Sequence, residues 1–145
     1  MPYCTLNELI SASSERDIIQ LTDDSRSGVI NESFVDDAIE KADGMISAYA
    51  GGRYTLPLPP VLLIRDIAVD IAMYRLYQRR HRDNMPDSVM ASYKNAEKQL
   101  GLIQSGRIAV PGAALIGGDE MGSGEIRTNK TKDSRLFGWD KLDRY

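Results

Sequence analysis

The stretch Tyr49-Ala50-Gly51-Gly52-Arg53-Tyr54-Thr55-Leu56-Pro57-Leu58-Pro59-Pro60 decides how this chain folds. Two long helical patterns run into it and away from it, while its own composition forbids a helix. Adjacent glycines lower helix propensity, and three prolines within four residues remove backbone donors. It reads as a rigid elbow with Arg53, Tyr54 and Pro57 as its structural residues. The backbone groups of this segment lack helical partners, so Arg53 and Tyr54 are expected to brace the turn by hydrogen bonding and packing rather than to bind a substrate.

Upstream of the elbow, Val35, Ala38, Ile39, Ala42, Ile46 and Tyr49 recur at three- and four-residue steps and predict one apolar helix face, with Asn31 or Ser33 as its cap. Asp36, Asp37, Glu40, Lys41 and Asp43 fall largely off that face and read as a solvated side. Gly44 costs about 1 kcal/mol against alanine within this helix and marks a place where a neighbour packs closely. Nearer the N-terminus, Thr5-Leu6-Asn7-Glu8 has capping-box spacing and starts a short helix. Ser13 or Ser14 caps a second short helix, whose apolar side is Ile18, Ile19 and Leu21. Thr22 to Gly28 reads as a solvated loop; Asp23 and Asp24 lack the third ligand that a calcium loop requires.

Downstream, Pro59 and Pro60 suit the first positions of a fourth helix. Ile64, Ile67, Ala68, Ile71, Ala72 and Tyr74 form its stripe, and Val61, Leu62, Leu63, Val69, Met73 and Leu76 make it apolar nearly all round. Such a helix sits at the centre of a bundle or faces another subunit. Arg65 and Asp66 read as partners in structural ion pairs. The helix ends in Arg75, Arg79, Arg80, His81 and Arg82, where positive charge offsets the helix dipole. After Asn84-Met85-Pro86, Asp87 or Ser88 caps a last helix, with Val89, Tyr93, Ala96, Leu100 and Ile103 as its seam and Gly106 as its stop.

The expected fold class is therefore all-α: a small bundle of about five helices, two short and three long, spanning residues 1–106. Residues 107–145 read as an extended, flexible C-terminal arm, because Gly112, Gly117, Gly118, Gly122 and Gly124 dilute it. Fully extended, the arm reaches on the order of 130 Å. Its tip is rich in interface residues, and Arg135, Leu136, Phe137, Trp139, Arg144 and Tyr145 are expected to anchor it on another chain.

Composition bounds the function. The 145 residues are 42% hydrophobic and 27% charged, as in an ordinary globular domain, and the net charge of −3 argues against a surface built wholly for nucleic acid. Cys4 is the single cysteine, which fits a reducing compartment. No apolar run approaches a membrane span, and the first residues do not resemble a signal peptide. With one histidine, no credible nucleophile–base pair, no phosphate loop and no metal-ligand cluster, the chain does not read as an enzyme and calls for no cofactor.

The runs Ile46–Leu58 and Asp66–Leu76, together with Tyr93-Lys94-Asn95-Ala96 through Leu100 to Gly106, resemble the small Mu-like prophage virion proteins. That family is similar to the head-to-tail adaptor (connector) proteins of tailed bacteriophages. The likeness covers roughly residues 3 to 110, and the Arg-Tyr-x-Leu-Pro-Leu elbow before an apolar helix is its most specific part. The resemblance implies an all-helical structural virion protein, assembled as a ring of twelve copies in the neck between portal and tail after a cytoplasmic stage in the host. Its implied partners are itself, the portal protein and a tail-side neck or terminator protein. It brings no catalytic residues. Within that reading, Arg79, Arg80 and Arg82 would line a surface near packaged DNA or meet an acidic neighbour. The alternative is a small nucleic-acid-binding or regulatory protein that uses the Arg75–Arg82 basic cluster.

Overall fold

A computed structural model describes residues 1–80 and 85–117. Five helices follow one another in the chain: α1 (Leu6–Ala12), α2 (Glu15–Thr22), α3 (Glu32–Ala50), α4 (Leu62–Arg80) and α5 (Asp87–Gln104). Among the described residues no strand forms, so the all-α bundle of two short and three long helices is the observed architecture.

Local chemistry sets the helix starts. The Glu8 carboxylate accepts the Thr5 backbone N–H at 2.7 Å, the reciprocal half of a capping box. Ser14 accepts the N–H of Asp17 at 3.2 Å and opens α2, and Asn31 accepts that of Ser33 at 3.2 Å and opens α3. Helix α4 begins at Leu62 rather than at Pro59 or Pro60. A residue that precedes a proline is held out of the α region, so Pro59, standing before Pro60, cannot enter the helix. Helix α5 begins at Asp87, with Pro86 in the cap position and no side-chain cap bond.

Helix α4 is the centre of the bundle and touches each of the other four helices. Its Ile64, Ile67, Ala68, Val69, Ile71, Ala72 and Leu76 are buried, which explains a sequence with little polar surface. Each large aliphatic side chain among them stabilises the fold by about 1.5–3 kcal/mol relative to exposure. Helix α3 lays Val35, Ala38, Ile39, Ala42, Ile46 and Ala50 against it, and α5 adds Ala96, Leu100 and Ile103. Tyr93 of α5 joins the three long helices. Its ring stacks on Tyr74 at 3.9 Å between centroids, and its hydroxyl lies 3.9 Å from the Met45 sulfur. Arg65 pairs with Glu8 at 3.0 Å and fastens α1 to α4, whereas Asp66, also read as an ion-pair partner, is exposed and in none of the ion pairs among the described residues.

Helix α5 ends in a Schellman motif. Arg107 N–H donates to Leu102 O at 2.9 Å and Gly106 N–H to Ile103 O at 3.1 Å, with Gly106 at φ +77°. The chain then turns back. The sequence places the start of the free arm at Arg107, but residues 107–117 lie against the elbow, with Val110 buried.

Candidate interaction site at the elbow

The end of α3 dictates the elbow. The N–H groups of Arg53 and Tyr54 both donate to Ala50 O at 2.9 Å, which satisfies a terminal helix carbonyl and turns the chain out of the helix axis. Tyr54 is buried, and its hydroxyl accepts the Val110 N–H at 3.4 Å. The backbone on either side is bridged to the returning chain. Thr55 N–H donates to Ala114 O at 2.7 Å, Ile116 N–H donates to Arg53 O at 2.9 Å, and Tyr54 faces Leu115 in an isolated antiparallel bridge. From the other side the Tyr3 hydroxyl accepts the Leu58 N–H at 3.1 Å. The Leu56–Pro57 peptide is cis, and Pro57 is exposed.

The Arg53 guanidinium lies over Gly106, where any Cβ would collide with it, and 5.8 Å from the centre of the Tyr54 ring. Arg53 and Tyr54 therefore brace the turn, and they do so by joining the exit of α3 to the end of α5 and the segment after it. Sequence spacing shows no sign of this joint, because its two halves lie more than fifty residues apart.

Beside the elbow, the N-terminal residues and one side of α3 enclose an open groove of about 860 Å³. Ile39, Leu56 and Pro57 supply apolar wall, and Asp36, Glu40 and Asp43 supply carboxylates. Reading those carboxylates as a solvated face is right for Asp36 and Glu40, which are exposed. Asp43 is half-buried; its Oδ1 accepts the Tyr3 N–H at 3.0 Å, yet burial still holds its pKa above the ordinary carboxylate value. Cys4 lies in the same wall, and its thiol is pushed up to about 12, first by burial and then by the charges of Asp43 and Glu8. It stays protonated at neutral pH and acts as a small apolar packing residue.

The basic end of α4 faces its own chain. Arg79 donates to Leu21 O at 2.9 Å, forms an ion pair with Asp24, and sits over the Phe34 ring at 3.5 Å from its centre. Arg80 donates to Asp23 O at 2.6 Å and meets Asp24 Oδ1 at 3.2 Å. Arg75 bonds Gln78 at 3.1 Å. The loop these arginines grip is organised by Asp23, whose carboxylate accepts the N–H groups of Ser27 at 3.0 Å and Gly28 at 2.6 Å. Those two backbone bonds bring the Asp23 pKa down to about 2. Arg79 and Arg80 thus clamp the α2–α3 loop. His81 and Arg82 lie outside the described residues, as do the arm anchors Arg135, Leu136, Phe137, Trp139, Arg144 and Tyr145.

The family profile described as Bacteriophage Mu, Gp36 matches residues 3–121. The chain belongs to the bacteriophage Mu Gp36 family. No curated protein matches it. The Gp36 match begins at Tyr3, whose hydroxyl holds the elbow, and takes in all five helices and the described part of the segment after α5. The protein is thus a Mu-like phage protein, and no helix among its described residues is long and apolar enough to cross a membrane.

Proposed function

We propose that this Gp36 family member is a structural virion protein, a head-to-tail adaptor that assembles as a ring between portal and tail. The observation that carries the reading is that the family match takes in the whole bundle and its elbow. At the elbow, side chains tie together segments far apart in the chain: Arg53 to Gly106, Tyr54 to Val110, Tyr3 to Leu58. The role is non-catalytic and calls for no cofactor. A braced bundle provides lateral faces for neighbouring copies, and the 28 residues after Gly117 provide a reach toward another ring. Arms repeated around a ring act multivalently, so a weak single contact gives firm attachment. Arg135, Leu136, Phe137, Trp139, Arg144 and Tyr145 are the anchors in this reading, and the partners are further copies of the chain, the portal protein and a tail-side neck or terminator protein. The nucleic-acid alternative has less support, because Arg79 and Arg80 are engaged with Asp24.

The test is co-sedimentation with assembled portal or tail particles. The full chain should attach as a ring countable by native mass spectrometry. The chain ending at Gly117, which retains the elbow contacts of the described residues, should stay helical by circular dichroism and lose attachment by about tenfold or more. Attachment undiminished by that truncation would remove the arm from the mechanism, and failure of the full chain to attach to either particle would remove the adaptor role.

A further inference from the structure

The groove beside the elbow is matched to a segment of the protein's own chain. Asp36, Glu40 and Asp43 fall at successive four- and three-residue steps on α3, so their carboxylates line one side of it. No lysine or arginine side chain lines the groove; the Met1 ammonium lines it and its charge reaches Asp43, while Asp36 and Glu40 are in none of the ion pairs among the described residues. Beneath them Ile39 and Pro57 form an apolar wall, and Leu56 stands 40% exposed at its edge. A ligand suited to these surfaces is a short peptide that joins cations to large apolar side chains.

The residues after Gly117 hold such a peptide. Lys130, Lys132 and Arg135 set three cations against the single carboxylate of Asp133, and Leu136, Phe137 and Trp139 follow directly. The last described residues leave from the elbow: Ile116 is bonded to Arg53, three residues before Leu56, which lines the groove. The intervening residues 118–134 span roughly 20–25 Å as a flexible chain, enough to return to the groove. A linker of that length holds its end at an effective concentration on the order of millimolar, which favours the same chain over a second copy at micromolar concentration.

We propose that the segment Arg135–Trp139 docks in the Asp36–Glu40–Asp43 groove of its own chain until a partner displaces it. The apolar side chains lie on the Ile39, Leu56 and Pro57 wall, and the Arg135 guanidinium faces the carboxylates, with Lys130 and Lys132 on the approach. The docked form covers the arm's anchors in the unassembled protein. This inference does not depend on what the arm binds afterwards, so its failure leaves the adaptor reading standing.

Trp139 is the single tryptophan, so its fluorescence reports the arm in the full chain without a label. Docking predicts a blue-shifted emission and slow acrylamide quenching that do not change over an about fiftyfold range of protein concentration. Reversing the groove's charge with Asp36→Lys and Glu40→Lys should raise the quenching constant by about twofold or more while the helical signal is retained. Leu56→Lys, at an exposed position, should do the same and serves if the double variant does not fold. Asp37→Lys, outside the groove, should leave Trp139 protected. The proposal is overturned by a Trp139 as quenchable as in the unfolded chain, by protection that survives the groove variants, or by protection that grows with concentration and so belongs to a second copy.

Discussion

Asp23 shows how one side chain organises a loop that composition marks as solvated: Thr22 instead ends α2, and both it and Asp23 are buried. Its carboxylate gathers the N–H groups of Ser27 and Gly28, and its folded pKa of about 2 lies below the ordinary 3.8. A depressed carboxylate contributes stability that is present above its unfolded pKa and is lost as pH falls through the folded one. Urea-unfolding midpoints followed by circular dichroism should therefore drop between about pH 4 and pH 2. Asp23→Asn should be less stable at neutral pH and show a shallower acid limb. Asp43 and Asp70 work in the opposite sense, since burial raises both and their ionisation lowers stability as pH rises. The comparison is thus the difference between wild type and Asp23→Asn across the pH range. The arginines that grip the same loop make a second prediction. Arg79→Ala with Arg80→Ala should cost about 1–3 kcal/mol, from the lost Phe34 contact and the bonds to the Leu21 and Asp23 carbonyls, since a half-exposed ion pair adds little. The same variant should leave duplex DNA binding and its salt dependence unchanged in fluorescence anisotropy. A weakened, less salt-sensitive complex would return the cluster to a nucleic-acid role.

Helix α3 carries two faces of different legibility. Its buried stripe could be read directly, because Val35, Ala38, Ile39, Ala42 and Ile46 repeat with the helical period and all are buried. Gly44 is exposed with nothing within 4 Å of the position of an added Cβ, so the close neighbour its presence implied is not among the described residues. Gly44→Ala should raise the stability of the isolated protein by about 0.5–1 kcal/mol in urea unfolding. If the position instead faces another copy in an assembly, the variant should gain stability and lose ring formation together. The start of α4 teaches the converse lesson. Proline is favoured early in helices, yet Pro59 is followed by Pro60, and the local steric rule overrode the positional preference. The apolar positions of α4 left two places open, a bundle centre or a subunit face, and its contacts with each of the other four helices decide for the centre.

The whole molecule is held as one piece at the joint of α3, α5 and residues 107–117. Ending the chain at Gly106 removes buried Val110 and opens Tyr54 to water, whereas ending it at Gly117 keeps both. The shorter form should lose about 2–5 kcal/mol of unfolding free energy relative to the longer. Equal stability of the two would show that the returning segment does not hold the elbow. The sequence by itself determined the five helices, the Thr5 capping box and the family, and narrowed the caps of α2 and α3 to Ser13 or Ser14 and Asn31 or Ser33, since helical period, capping and short motifs are properties of near neighbours in the chain. Only the tertiary structure decided that Arg79 and Arg80 clamp Asp24, that Arg53 rests on Gly106, and that three carboxylates of α3 line a groove with the N-terminal residues. Each of these joins groups dozens of residues apart, and such pairs are chosen by how helices pack around α4, which no local pattern encodes.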